Sequence, residues 1–515
     1  MHSASAPLVA ILPILWLFLS LGVLKLSTPV ACAIGLGMSV ILAVTGWDFT
    51  PLLVFQAVLD GAAFAFFPIL WVIFTALFTY SLAVETQAMN SIKALLASIS
   101  RDRRIQALLI AWGFGGFMEA VAGFGTAVAI PLAILVSLGF APFPAAVVCL
   151  LANTVAVAFG VVGIPVITLA WITDLPVTEL ATQITLQLTM FVFIVPAVIV
   201  MAVTGSVHGM TGVWVHALGA GASFGLVQFL TAKYIGPELP AILGSLAACG
   251  TMVVLAKRLP PATPWLFPHE QGMASGADTP AKDHLAFGVQ MKAWSPYLVL
   301  LVLVLASRMV EPLHALLAKA TTSHAIYTGP GGKPLTIAWL LTPGTLVLLA
   351  ALLGGRIQGA SFAAMLRLSG ATLKSMSKST TTIVCIVALA KVLGYSGMIH
   401  SVAVSLADLT GRFYPLAAPL LGMLGTFITG SDTSSNILFG QLQKQVALSI
   451  GVSPIWIAAA NTSGACIGKI VSLQSIAIAG ISANLAGKEG ALLIVCLRYA
   501  LPFIAGLCLL VYACT

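Results

Sequence analysis

The sequence predicts an all-α integral membrane protein of about 12 transmembrane helices plus two re-entrant hairpins, arranged as inverted repeats. Three observations predict it. The 515 residues are 60% hydrophobic and only 7% charged, with a mean hydropathy of +1.08. A soluble domain needs roughly a quarter charged residues to cover its surface, so lipid is the solvent here. Apolar runs of the ~20 residues that a bilayer crossing requires recur from end to end. Finally, two stretches in opposite halves are versions of one another. The first runs Gly116-Phe117-Met118-Glu119-Ala120-Val121-Ala122-Gly123-Phe124-Gly125-Thr126, then Ser137-Leu138-Gly139-Phe140-Ala141-Pro142, then Ala152-Asn153-Thr154. The second runs Thr426-Phe427-Ile428-Thr429-Gly430-Ser431-Asp432-Thr433-Ser434-Ser435-Asn436, then Ser449-Ile450-Gly451-Val452-Ser453-Pro454, then Ala460-Asn461-Thr462. Upstream, Tyr80-Ser81 corresponds to Tyr395-Ser396. Duplicated halves with Gly-broken, polar-tipped membrane segments are the signature of a secondary transporter.

Candidate crossings fall at 8–24, 29–46, 53–84, 145–170, 185–204, 210–230, 238–256, 296–313, 335–354, 380–411, 453–480 and 491–513. The run Leu8 to Leu24 lacks a basic start and a small-residue cleavage site, so it reads as a retained span rather than a signal peptide. Regions 105–140 and 415–450 are left over. Both are apolar but interrupted near their middles, and each reads as a re-entrant hairpin. Non-helical backbone at that depth is tolerated only where protein or a watery cavity surrounds it. The chain then divides into N-terminal helices at 1–47, a first half at 48–256, a cytoplasmic linker at 257–295 and a second half at 296–515.

Basic residues set the orientation. Lys93 to Arg104, Lys257 and Arg258, the stretch to Lys292, and Arg356 to Lys378 fall on the cytoplasmic side. The loop with Asp174 and Glu179 has no Lys or Arg and faces outside. Alternation between these loops makes the two hairpins enter from opposite faces, with both termini outside. The polar stretch Gly272 to Asp283, flanked by His269 and His284, reads as a solvated, flexible linker.

The net charge of +8 resides in connecting loops, with no basic domain for nucleic acid. The eight cysteines stand singly in apolar runs, with no CxxC or Cys/His cluster, so neither a metal, a cofactor nor a disulfide is implied. An enzyme would show a nucleophile–base or metal constellation, and a channel a continuous polar stripe. The chain shows isolated polar breaks instead.

Those breaks carry the candidate site. Glu119 lies beside Gly-rich backbone in the first hairpin. An acid at membrane depth costs about 2.5–3.5 kcal/mol on insertion scales, so it is usually paired, protonatable or both. Asp432 is its counterpart in the second hairpin, three places on in the alignment, within Ser431, Thr433, Ser434 and Ser435. That run reads both as a helix cap and as a carboxylate-binding helix start. Glu119 and Asp432 are the candidate proton carriers. Asn153 and Thr154, and Asn461, Thr462 and Ser463, lie inside long crossings and read as unwound points. Asn and Thr offer donors and acceptors without a full charge, and are otherwise interhelical glue. Lys469, on the same segment as Asn461, is the candidate cation, with snorkelling as the alternative. Gly123, Gly125 and Thr126 complete the set of substrate-binding candidates.

Further strings are Asp102 to Ile110, Val157-Ala158-Phe159-Gly160 with Gly163-Ile164-Pro165, Tyr395 to Met398, Ala459 to Thr462, and Gly468-Lys469 with Gln474-Ser475-Ile476. Together with the hairpin motifs they resemble the lactate permease family of bacterial membrane transporters, from about Asp48 to Tyr512. The resemblance implies uptake of lactate or a related 2-hydroxymonocarboxylate such as glycolate, by proton symport across the inner membrane. It also implies an elevator-like architecture, in which a hairpin-bearing transport domain slides against a scaffold, often as a homodimer. A Na⁺-coupled carboxylate or dicarboxylate carrier is the rival reading. The chain departs from the family pattern at three places. Ala120 and Val121 stand where Gly and Ala are expected, pointing to a smaller or differently shaped ligand volume. Ala156 and Leu473 stand where prolines are expected.

Overall fold

A computed structural model describes residues 6–20, 24, 26–123, 125–267, 287–332, 334–485 and 488–515. The short helices α1 (Ala6–Ala10) and α2 (Leu12–Phe18) precede α3 (Thr28–Gly46). Next, α4 (Pro51–Phe64) starts with Pro at the first helical position, which has no intrahelical bond to lose. It passes into α5 (Trp71–Glu85) through a kink at Phe67 (φ −133, ψ 116). Phe67 precedes Pro68, and a residue before proline is pushed out of the helical region. α6 (Ala88–Ala97) follows.

The first polar-tipped segment folds as α7 (Arg103–Ala107), a wider-wound stretch Leu108–Phe114, α8 (Gly115–Val121), a break, and α9 (Thr126–Ser137). Gly125 (φ 88) turns the chain at that break, in a left-handed conformation that disfavours side chains. Phe124 lies outside the described residues. α10 (Pro142–Ala152) unwinds at Asn153–Thr154 into a 3-10 turn, Val155–Phe159. α11 (Gly160–Thr173) then opens on three left-handed residues, Val161 (φ 46), Val162 (φ 56) and Gly163 (φ 81). The first half closes with α12 (Val177–Thr204), α13 (Trp214–Tyr234) and α14 (Pro240–Arg258).

Beyond the linker come α15 (Phe287–Met309), α16 (Glu311–Ala318), an antiparallel ribbon of β1 (Thr321–His324) and β2 (Leu335–Ala338), α17 (Pro343–Gln358) and α18 (Phe362–Ser375). α19 (Ser377–Tyr395) and α20 (Met398–Thr410) lead to the second polar-tipped pair, α21 (Tyr414–Thr429) and α22 (Asp432–Ser449). Gly430 (φ 74) makes the turn, and the Ser431 hydroxyl caps α22 by accepting from Ser434 N at 3.2 Å. The chain ends with α23 (Pro454–Val471), α24 (Leu473–Ser482) and α25 (Glu489–Ala513).

Three expectations need correction. Among the described residues, nine helices are long and apolar enough to cross a membrane, or ten with the bent pair Phe362–Ser375 plus Ser379–Tyr395, rather than about 12. In the run at 8–24 the described residues give a short apolar helix, Pro7–Leu17, and 21–23 lie outside the described residues; 335–354 begins as a strand, and 380–411 divides between α19 and α20. The fold is therefore nearly, but not wholly, helical. The third correction concerns Asn461–Thr462, which lies inside the unbroken α23; the second break falls at Ser472, which caps α24. His269, His284 and the rest of 268–286 lie outside the described residues. The first part of the linker does not: Trp265 N donates to Asp102 Oδ2 at 3.0 Å, against the base of α7.

The two halves pack reciprocally. α22 lies on α11, where Asn436 Nδ2 donates to Pro165 O at 3.2 Å and Lys444 Nζ to Thr173 O at 2.6 Å. α9 lies on α24, so close that a Cβ on Gly125 would stand 2.3 Å from Ile478. Each polar-tipped pair thus rests against a helix of the other half. α21 and α23 touch backbone to backbone: a Cβ on Gly464 would stand 1.9 Å from Pro419 O, and one on Gly422 at 1.9 Å from Asn461 O. Small residues permit such approach between membrane helices. α3, α4, α5, α15, α17 and α19 form the remaining body. Within it, Lys391 Nζ pairs with buried Asp60 Oδ2 at 2.8 Å, and Tyr395 OH donates to the same oxygen at 2.8 Å.

Candidate functional site

The tips of the broken helices surround a cavity of about 750 Å³. Four places at the helix breaks supply polar lining. Glu119 comes from the last turn of α8, and Ser431, Asp432, Thr433 and Ser434 from the start of α22. Lys469 comes from the end of α23 and Gln474 from the first turn of α24. The opposite wall is supplied by the start of α3, by Ile73 of α5 and by Ser379, Thr382 and Ile383 of α19.

The charged groups are deeply held: Glu119, Asp432 and Lys469 are 5%, 3% and 6% exposed. Lys469 interacts electrostatically with both carboxylates. Its ammonium donates to Gly430 O at 2.5 Å, which ties it to the turn of the second pair. Two acids thus share one base. Glu119 Oε2 and Asp432 Oδ1 are buried and make no hydrogen bond within 3.5 Å. Asn153 faces Glu119, and neither polar atom of its amide closes a hydrogen bond within that distance. Gly160 makes room for this carboxyl, since a Cβ there would stand 3.0 Å from Glu119 Oε1. Buried polar atoms without partners carry a desolvation penalty. Those of Glu119 and Asp432 belong to cavity-lining residues, where a polar ligand would satisfy them.

The other expected site residues serve the walls. Thr126 donates to Gly123 O at 2.7 Å, closing its own turn, and a Cβ on Gly123 would stand 2.4 Å from Val161. Thr154 bonds back to Leu151 O, and Ser435 bonds across to Gly422 O at 2.9 Å. Asn461 Nδ2 and Thr462 Oγ1 both donate to Asn436 Oδ1, at 2.9 and 3.0 Å. Gln443 Nε2 donates to Asn461 Oδ1 at 3.1 Å and Tyr414 OH to Gln443 Oε1 at 2.9 Å. This network is glue between α21, α22 and α23. Ser463 is buried with its hydroxyl unpartnered. Ala120 and Val121 do not line the cavity, so the expected narrowing of the ligand volume by these residues is not there; Leu473 does line it. Sequence reasoning missed Gln474, Thr28 and Thr382 as lining residues. Gln474 follows the second break directly, which was its one signal.

A nearly all-helical chain with many apolar spans and a buried polar cavity at its helix breaks defines a multi-pass membrane transport protein. The L-lactate permease family profile matches residues 6–514. An L-lactate permease of Streptococcus iniae is 43% identical over 89% of this chain and 94% of its own. An L-lactate permease of Bacillus subtilis is 34% identical over 98% and 95%, and the glycolate permease GlcA of Escherichia coli is 35% identical over 96% and 93%. Neisseria gonorrhoeae MtrF, described as an antimetabolite efflux pump, aligns over 96% of each chain at 13% identity and a TM-score of 0.49, too distant to inform the site. The chain belongs to the L-lactate permease family.

Proposed function

We propose that this protein takes up lactate or a related 2-hydroxymonocarboxylate such as glycolate by proton symport across the inner membrane. The relatives' names support the substrate class. The observation that carries the reading is the meeting of two buried carboxylates and one buried ammonium in a cavity at the start of α22. Lys469 and the start of α22 hold the substrate carboxylate, because a helix start is electropositive. Ser431, Thr433, Ser434 and Gln474 supply hydroxyls and an amide for the 2-hydroxyl.

The two acids have different helix ends beside them. Asp432 is the first residue of α22, where the dipole favours an anion; Glu119 lies in the last turn of α8, where it does not. The coupling proton therefore belongs to Glu119. One proton with one monoanion leaves the charge of the loaded site unchanged. The α7–α9 and α21–α22 pairs are then re-entrant hairpins of two inverted repeats. They form a transport body that slides against the α3–α5, α15, α17 and α19 scaffold.

Uptake of labelled L-lactate into proteoliposomes tests this. An inward proton gradient accelerates uptake, and an imposed membrane potential alone does not. Indifference to the proton gradient, with acceleration by Na⁺, would overturn the coupling assignment.

A further inference from the structure

The cavity carries apolar side chains beside its buried charges. Glu119, Asp432 and Lys469 are almost wholly buried. Leu473 lines the same cavity and is 39% exposed, and Ile428, Leu26 and Pro29 line it half-buried. At about 750 Å³ the space lies within the 300–1,000 Å³ typical of pockets for drug-sized ligands. A two- or three-carbon acid seated at Lys469 has one methyl group or none to set against this rim.

We infer that the site accepts 2-hydroxymonocarboxylates bearing a branched alkyl or aryl group, with the carboxylate and hydroxyl held deep and the substituent lying along Ile428 and Leu473. This rests on the proposed carboxylate site and extends its substrate class. Each methylene buried against the rim is worth roughly fourfold in affinity, so a substituent three carbons larger than methyl gains at least tenfold even when only partly covered.

Displacement of labelled L-lactate from the purified full-length protein measures this. 2-Hydroxy-4-methylpentanoate and 3-phenyllactate are expected to compete at least tenfold more tightly than unlabelled lactate, and 4-methylpentanoate, which lacks the hydroxyl, far less well. The advantage of the larger acids shrinks in Leu473→Ser and shrinks further in the Ile428→Ser, Leu473→Ser double variant. Lactate binding with equal or weaker competition by the larger acids would overturn the inference and leave the proposed function standing. So would an advantage that survives both substitutions. Failure of lactate itself to bind would sink the proposed function and this inference with it.

Discussion

Glu119 and Asp432 are both acids in one cavity, and their chemistry diverges through their neighbours. The start of α22 supports the charge of Asp432, whereas Glu119 lies in the last turn of α8 beside Asn153; Lys469 acts on both, and each keeps one unpartnered oxygen. Glu119→Gln is therefore expected to keep lactate–lactate exchange in proteoliposomes while losing accumulation driven by a pH gradient. Wild-type accumulation by that variant would place the proton elsewhere. Such charges were legible in the sequence because an acid or a lysine in an apolar run stands out. Uncharged groups were harder to assign. Asn153 and Asn461 occupy matching places, yet only Asn153 sits at an unwound point. The difference is that the Asn461 amide is engaged by Asn436 and Gln443, so its helix continues through it. No pattern within α23 alone could reveal partners supplied by α22.

Among the elements, two contacts decide whether helices stay together. Asp60 on α4 and Lys391 on α19 form a buried pair, closed by Tyr395. Removing one partner strands a charge, at about 3–5 kcal/mol, while replacing both with apolar residues of similar size is often neutral. Lys391→Met should thus unfold markedly earlier in a denaturant titration in detergent, and Asp60→Leu with Lys391→Met should recover most of that loss. Equal losses in both variants would contradict the pairing. At the α21–α23 contact, Gly464→Ala forces a methyl onto Pro419 O. Overpacking of this kind costs about 1–3 kcal/mol. Gly250→Ala, where a Cβ meets nothing within 4 Å, serves as the comparison and should shift nothing downward. The spans themselves were legible from hydropathy, but their interruptions were not. The break at Ser472 is set by capping, and the β1–β2 ribbon consists of polar and short apolar stretches that hydropathy assigns to a loop and the start of a span.

At the scale of the whole molecule, contacts between the first and second parts of the chain bring the site together. Each polar-tipped pair is buttressed by a helix of the opposite half, α22 on α11 and α9 on α24, so neither half alone encloses the cavity. The repeat was visible in the sequence because both copies keep the same Gly, Ser/Thr and Asn-Thr landmarks. The contribution of α3 was not, since Thr28 belongs to neither repeat and carries no charge to mark it. Equilibrium binding of labelled L-lactate to the purified protein and to Lys469→Met tests the central claim most directly. A charge-assisted hydrogen bond contributes about 1.5–3 kcal/mol. The account predicts saturable binding by the unaltered chain and roughly 10- to 100-fold weaker binding once the ammonium is gone. Equal affinity in the two proteins would contradict it.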